Sequence, residues 1–252
     1  MAKQIGTHRL VGTTGNMTYV KTKDGFLVRE KPVRNKTRFR TSENFARVRD
    51  HAANFGHAAK SGKLLRTAFI GQIKTASDYR VTSRFTTRLL EIVKSDPVNE
   101  RGERRIQEGE LQRLQGFEFN NSSQLSEVLH HVQYTTTIDQ ATGVHKISVA
   151  PFTPTDDIAV PAGASHARLT MAAAVVDFDR GIFVSDAQST ADLPLDVAIT
   201  EPITLSVQLP AQSTLPLFMV FGIRFFETDR DKQFPLPKDA NALQVVYAGR
   251  NA

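Results

Sequence analysis

The hydrophobic period of this chain changes near Gly116, and that change limits which layers it can build. Upstream, Phe45, Val48, Ala52, Phe55 and Ala59 recur at spacings of three and four. Phe85, Leu89, Ile92 and Val93 do the same within 78–94, until Asp96-Pro97 stops the run. Such spacing gathers apolar side chains on one face of an α-helix, and a residue before proline avoids helical geometry. Downstream, Leu205, Val207 and Leu209 alternate with Thr204, Ser206 and Gln208, the period of a strand with one wet face. The run 217–226 is apolar at both parities and reads as a central strand. Six further strands are expected at 132–138, 144–150, 167–178, 181–185, 203–209 and 242–247, with one short helix at 122–131. The expected class is α+β, with a C-terminal antiparallel β-sandwich of Ig-like or jelly-roll type.

Two features precede the helices. The β-rich runs 17–22 and 26–30 flank Lys23-Asp24-Gly25, and glycine there accepts the positive φ of a tight hairpin turn. Between 31 and 40, Arg34, Lys36, Arg38 and Arg40 share one parity, so an extended chain would carry all four on one face. This stretch reads as a basic arm. Ser42 is a candidate N-cap for the helix that follows. Residues 99–114 are dense in both charges and read as a solvated loop or short helix. The expected parts are a hairpin and arm (1–40), a basic helical region (41–115) and an acidic β-sandwich (116–252).

The net charge of +6 conceals an asymmetry. Residues 1–115 hold 24 Lys+Arg and 11 Asp+Glu, giving +13, and the remainder hold 8 and 15, giving −7. Separation of this kind points to a polyanion partner or to contact between oppositely charged parts. The absence of cysteine removes disulfides and thiolate metal sites from consideration. No apolar run approaches the ~18 residues needed to span a bilayer, and no signal-peptide core is seen, so a cytoplasmic protein is expected. Release as an assembled particle is compatible with that expectation.

Chemistry-bearing patterns mostly fail on spacing. Gly56-His-Ala-Ala-Lys60-Ser-Gly62-Lys63-Leu64 is reminiscent of a phosphate-binding loop. Its glycines are one residue too far apart, and Leu64 stands where a magnesium-binding hydroxyl belongs. A kinked helix pair with exposed cations at Lys60, Lys63 and Arg66 explains it better. Asp177-Phe-Asp179-Arg-Gly181 opens like a calcium loop but lacks the later acidic ligands, and reads as a hairpin turn. None of the seven histidines shows a zinc spacing, and no metal or cofactor is expected. Gly163-Ala-Ser165-His166 lacks the second glycine of a serine nucleophile elbow. A pair of facing carboxylates, which only the fold can assemble, is the remaining route to an enzyme, a glycan-active one.

Gly12-Thr-Thr-Gly15-Asn16-Met-Thr-Tyr19, Phe26-Leu-Val-Arg29 and Asn54-Phe-Gly-His-Ala-Ala-Lys60-Ser-Gly62-Lys63-Leu-Leu-Arg66 resemble a family of uncharacterised Bacteroidota proteins. Gly116-Phe-Glu-Phe-Asn120 and Asn241-Ala-Leu fit as well. The resemblance implies a shared architecture and no activity. The expected function is a non-enzymatic structural protein that assembles with copies of itself into a tube, filament or particle. Nucleic-acid binding by the basic half is the alternative. Arg34, Lys36, Arg38, Arg40, Lys60, Lys63 and Arg66 are the candidate contacts, with Asp229 and Asp231 as acidic receivers.

Overall fold

Two compact units divide the chain, Met1–Arg49 and Asp50–Ala252. The computed structural model describes residues 2–23, 25–31, 36–230 and 232–250, without the side chain of Lys36.

The first unit is an antiparallel sheet of β1 (Ala2–Lys3), β2 (Gly12–Thr14), β3 (Met17–Thr22) and β4 (Gly25–Glu30), in the order β1-β4-β3-β2. The expected hairpin is β3–β4, with Thr22 opposite Gly25 and a φ of +113° at Gly25. The arm differs from expectation. Arg34 lies outside the described residues, and 36–41 form helix α1 (Lys36–Thr41). A helix turns about 100° per residue, so positions 36 and 40 share a face while 38 points away, and one common basic face does not form. Arg49 donates through Nη1 to the carbonyls of Phe39 (2.8 Å) and Ser42 (2.9 Å), satisfying groups that α1 leaves open at its end.

The second unit builds on helices α2 (Ala46–Ala68), α3 (Ile70–Ile73), α4 (Val81–Lys94), α5 (Leu125–Val128) and α6 (Pro154–Asp157). Its strands are β5 (Tyr134–Ile138), β6 (Val144–Val149), β7 (His166–Asp177), β8 (Ile182–Ser189), β9 (Leu193–Pro194), β10 (Ile203–Gln208), β11 (Leu217–Asp229), β12 (Lys232–Pro235) and β13 (Ala242–Gly249). All seven expected strands are present, and β9 and β12 are additions. A six-stranded sheet runs β12-β11-β7-β8, with β13 also on β11 and β9 on β7. A three-stranded sheet runs β10-β6-β5.

Side-chain alternation in the large sheet builds two cores. Ala172, Ala174 and Val176 of β7, Phe218 and Val220 of β11, and Leu243 and Val245 of β13 pack with Leu65, Phe85, Leu89 and Ile92 of the helices. On the opposite face Met171, Ala173 and Val175, with Leu217, Met219, Phe221 and Ile223, pack with Ile147, Val149, Leu205 and Val207 of the small sheet. The unit is thus a helix layer, a six-stranded layer and a three-stranded layer. A boundary near Gly116 does not separate two domains, because residues on both sides of it share the first core. The period change marks a change of layer.

α2 buries a different stripe from the one its large apolar residues suggest. Val48 and Phe55 are exposed, whereas Asn54, Ala58, Ser61, Gly62 and Leu65 are buried. A Cβ at Gly62 would lie 3.0 Å from Leu89 Cδ1, so the small residue sets the approach of α2 to α4. The charged stretch after α4 is anchored rather than free. Ile106, Leu111 and Leu114 are buried, and the Asp96 carboxylate accepts from the N–H groups of Val98, Asn99 and Arg105 and from Asn99 Nδ2.

Two buried carboxyls set opposite pH limits on stability. Burial works against the charged form of Asp96, but its four donors outweigh that and lower its pKa to about 2. Burial raises the pKa of Glu118 to about 7, although its Oε1 accepts from Leu125 N–H (3.1 Å) and Gln244 Nε2 (2.6 Å). A depressed folded pKa gives Asp96 a contribution that is present above its unfolded value near 3.8 and lost as pH falls through about 2. A raised one gives Glu118 a contribution that is present below about 4.5 and lost as pH rises through about 7. Among these two groups stability peaks near pH 4–5 and falls by about 2 kcal/mol toward pH 8, allowing for partial solvent screening. Urea titrations across that range check the fall. Glu118→Gln should flatten it, and an unchanged slope in that variant refutes the assignment.

Candidate assembly interface

In the first unit strong charge coincides with a lack of buried side chains among the described residues. Residues 1–49 hold 12 Lys+Arg and 3 Asp+Glu, a net +9, which leaves −3 for the rest. No described side chain of 2–49 is buried. Ile5 is 93% exposed, and Leu10 and Val11 are exposed beside Arg9. Val20, Leu27 and Val28 are only half-buried. Sheets gain stability by burying one face, so this one presents apolar and cationic surface together.

The second unit offers a groove of complementary kind. A cavity of about 680 Å³ is lined by Ile158, Val160, Ala164, Pro194, Leu195 and Asp196, among others. The Phe152–Ile199 bridge lays the segment after Asp196 beside the one that carries α6. Exposed Asp196 lines this cavity, and exposed Asp156 and Glu201 lie on the two segments that the bridge joins. Glu227 is close too, its Oε2 3.9 Å from a Cβ built at Gly163. Neither 147–167 nor 181–223 contains a Lys or Arg. That base-free stretch was the sequence signal for the groove, masked when charge is summed over halves. At its wall the Ser165 hydroxyl lies 2.8 Å from Thr228 Oγ1 and 3.0 Å from His166 Nδ1, a hydrogen-bonded cluster joining β7 to β11.

The residues singled out from sequence lie on several elements. Arg38 and Arg40 lie on α1, Lys60, Lys63 and Arg66 on α2. Lys60 and Lys63 are exposed, whereas Arg66 is half-buried with Nη1 enclosed and desolvation lowering its pKa. Asp229 ends β11 at a hairpin, opposite Lys232, and Asp231 lies outside the described residues. Asp229-Arg230-Asp231-Lys232 carries as many bases as acids, so it supplies no net negative receiver.

A second cavity, about 740 Å³, lies between α4 and residues 116–122 and includes Asp78, Arg84 and Glu118. Two carboxyls with divergent pKa values are the pattern of an acid–base pair. Here Asp78 is engaged by three donors, while Glu118 is held through Oε1 alone and its Oε2 is buried without a partner among the described residues. Asp78 accepts from Arg84, from Arg80 N–H (2.7 Å) and from Asn121 N–H (3.1 Å), which outweigh its burial and hold its pKa down. Glu118 Oε1 ties β13 to α5. These groups join elements of the fold. Among the described residues no three His, Asp or Glu side chains gather as a metal cage, and no helix is long and apolar enough to cross a membrane. No family model matches the chain, and neither curated proteins nor solved structures gave a match.

Proposed function

We propose that the chain is a non-enzymatic structural protein that assembles with copies of itself. The observation that carries this is the first unit, residues 1–49, which holds a net +9 and in which no described side chain is buried. Its exposed apolar and basic surface seats on the acidic, apolar-floored groove of a neighbouring copy. Charge complementarity steers and orders such a contact, and apolar burial supplies most of its strength. A donor and a receiver at different places on one chain make a head-to-tail contact, which generates rings or open filaments. The second unit serves as the packing brick, a helix-backed pair of facing sheets.

Light scattering on the full chain tests this. Species much larger than the 27.9 kDa chain are expected at low salt, shrinking as salt screens exposed charges beyond ~8 Å. Combined Lys3→Glu, Arg9→Glu and Arg40→Glu should abolish them, as should Asp196→Lys with Glu201→Lys. A 28 kDa species at every concentration and salt would falsify the proposal.

Nucleic-acid binding is the second reading, favoured by the same +9. Retention on duplex DNA should then fall steeply with salt through counterion release. Assembly of nuclease-treated protein separates the two.

A further inference from the structure

The failed phosphate-loop look-alike lies wholly within α2, and its cations form one wall of a pocket. His57, Lys60, Ser61, Lys63, Leu64 and Thr67 face Phe178, Gly181 and Phe183 of the β7–β8 hairpin around about 400 Å³. That volume lies in the range of small-molecule sites. Lys60 and Lys63 are three apart, hence neighbours on the helix surface. Neither makes an ion pair among the described residues, while the nearby opposite charges are spent: Arg105 pairs with Asp179 at 2.8 Å, and Arg180 faces Asp177 at 3.8 Å. The floor is apolar, with Phe178 buried and Leu64 and Phe183 half-buried.

The His57 ring has a fixed orientation. Its Nε2 accepts from the Ile106 N–H at 3.1 Å, so in the neutral ring Nδ1 carries the proton and donates. Burial, then the Arg105 charge, lowers its pKa. The wall thus offers two ammonium groups above an aromatic and aliphatic floor, with a neutral imidazole donor beside them.

We infer that this pocket binds a small organic anion whose charged end is a phosphate or carboxylate and whose body is a flat apolar group. The lysines take the charged end and Phe183 takes the body. A phosphate alone would leave the floor empty, and a neutral aromatic would leave the lysines unpaired.

Phenyl phosphate is a suitable probe, titrated by calorimetry and by His57 ring resonances, with inorganic phosphate and benzyl alcohol as controls. Saturable binding is expected, tighter than either control, with the His57 pKa rising on occupancy because an anion enters beside it. Lys60→Gln and Lys63→Gln should each weaken binding about tenfold, the worth of one charge-assisted hydrogen bond. Phe183→Ala should weaken phenyl phosphate and leave inorganic phosphate unchanged. The lysines are exposed, so their variants fold. No saturable binding, affinity unchanged in the double lysine variant, or inorganic phosphate binding as tightly as phenyl phosphate overturns the inference. So does binding of single-stranded DNA in the absence of any phenyl phosphate binding.

Discussion

Arg84→Ala should lower the free energy of unfolding by about 4 kcal/mol, the largest single-residue loss expected outside the apolar cores. Arg84 reaches from α4 to the carbonyls of Glu118 (2.8 Å) and Phe119 (3.2 Å) and to the Asp78 carboxylate. Its guanidinium lies 5.1 Å from the centre of the Phe117 ring. The Asp78 side chain is only 12% exposed, so truncating Arg84 strands a partly desolvated carboxylate and two carbonyls. The Phe117 and Phe119 rings, which meet Phe85 at 5.0 and 5.6 Å between centroids, would lose the strut behind them. Arg84→Lys restores one charge without the two-pronged fork, and should recover about half the loss. Urea unfolding of both variants measures this. A loss below about 1 kcal/mol for Arg84→Ala would show that water replaces the guanidinium at little cost.

Much of the β architecture was legible because its signals are local. Each of the seven strands has its own alternation or apolar run, and 217–226 reads as central because both parities are apolar. In the structure β11 is covered on both faces. The same feature demands a second cover for β7 and β11, and the helices supply it. What the sequence hid is non-local. α2 turns its small residues inward, and an apolar-periodicity argument weights Phe55 over Gly62. Residues 99–114 look solvated by composition, yet Asp96 and Ile106 fasten them, through backbone groups that no pattern displays. The basic arm shows how parity depends on the assumed conformation. Lys36, Arg38 and Arg40 share a face in a strand and lose it in α1. Of the candidate contacts, Lys60 and Lys63 meet in a pocket. The acidic groove is faint in the sequence because its signal is the absence of bases over 147–167 and 181–223 rather than the presence of acids.

Gly222→Ala is expected to destabilise the second unit by about 3–4 kcal/mol, through contact rather than backbone conformation. Gly222 sits mid-strand in β11, opposite Leu243 of β13 and Thr170 of β7. An added Cβ would lie 2.4 Å from the Ala242 carbonyl oxygen and 3.2 Å from Leu243 Cα, both backbone atoms. Relief requires β13 to move as a strand. β13 is also held on its far side, where Gly116 N–H donates to the Val245 carbonyl (2.8 Å) and Phe119 N–H to the Leu243 carbonyl (2.9 Å). Displacing it therefore pushes the segment that carries Phe117, Glu118 and Phe119, and with it the packing of α4. One methyl is predicted to loosen the helix layer as well as the sheet, so amide exchange should accelerate in α4 and not only in β13. Gly56→Ala is the matching control. Its Cβ meets nothing within 4 Å in α2, and better helix propensity should raise stability by up to ~1 kcal/mol. If Gly222→Ala unfolds like the wild type, β13 has slack that its two-sided bonding denies.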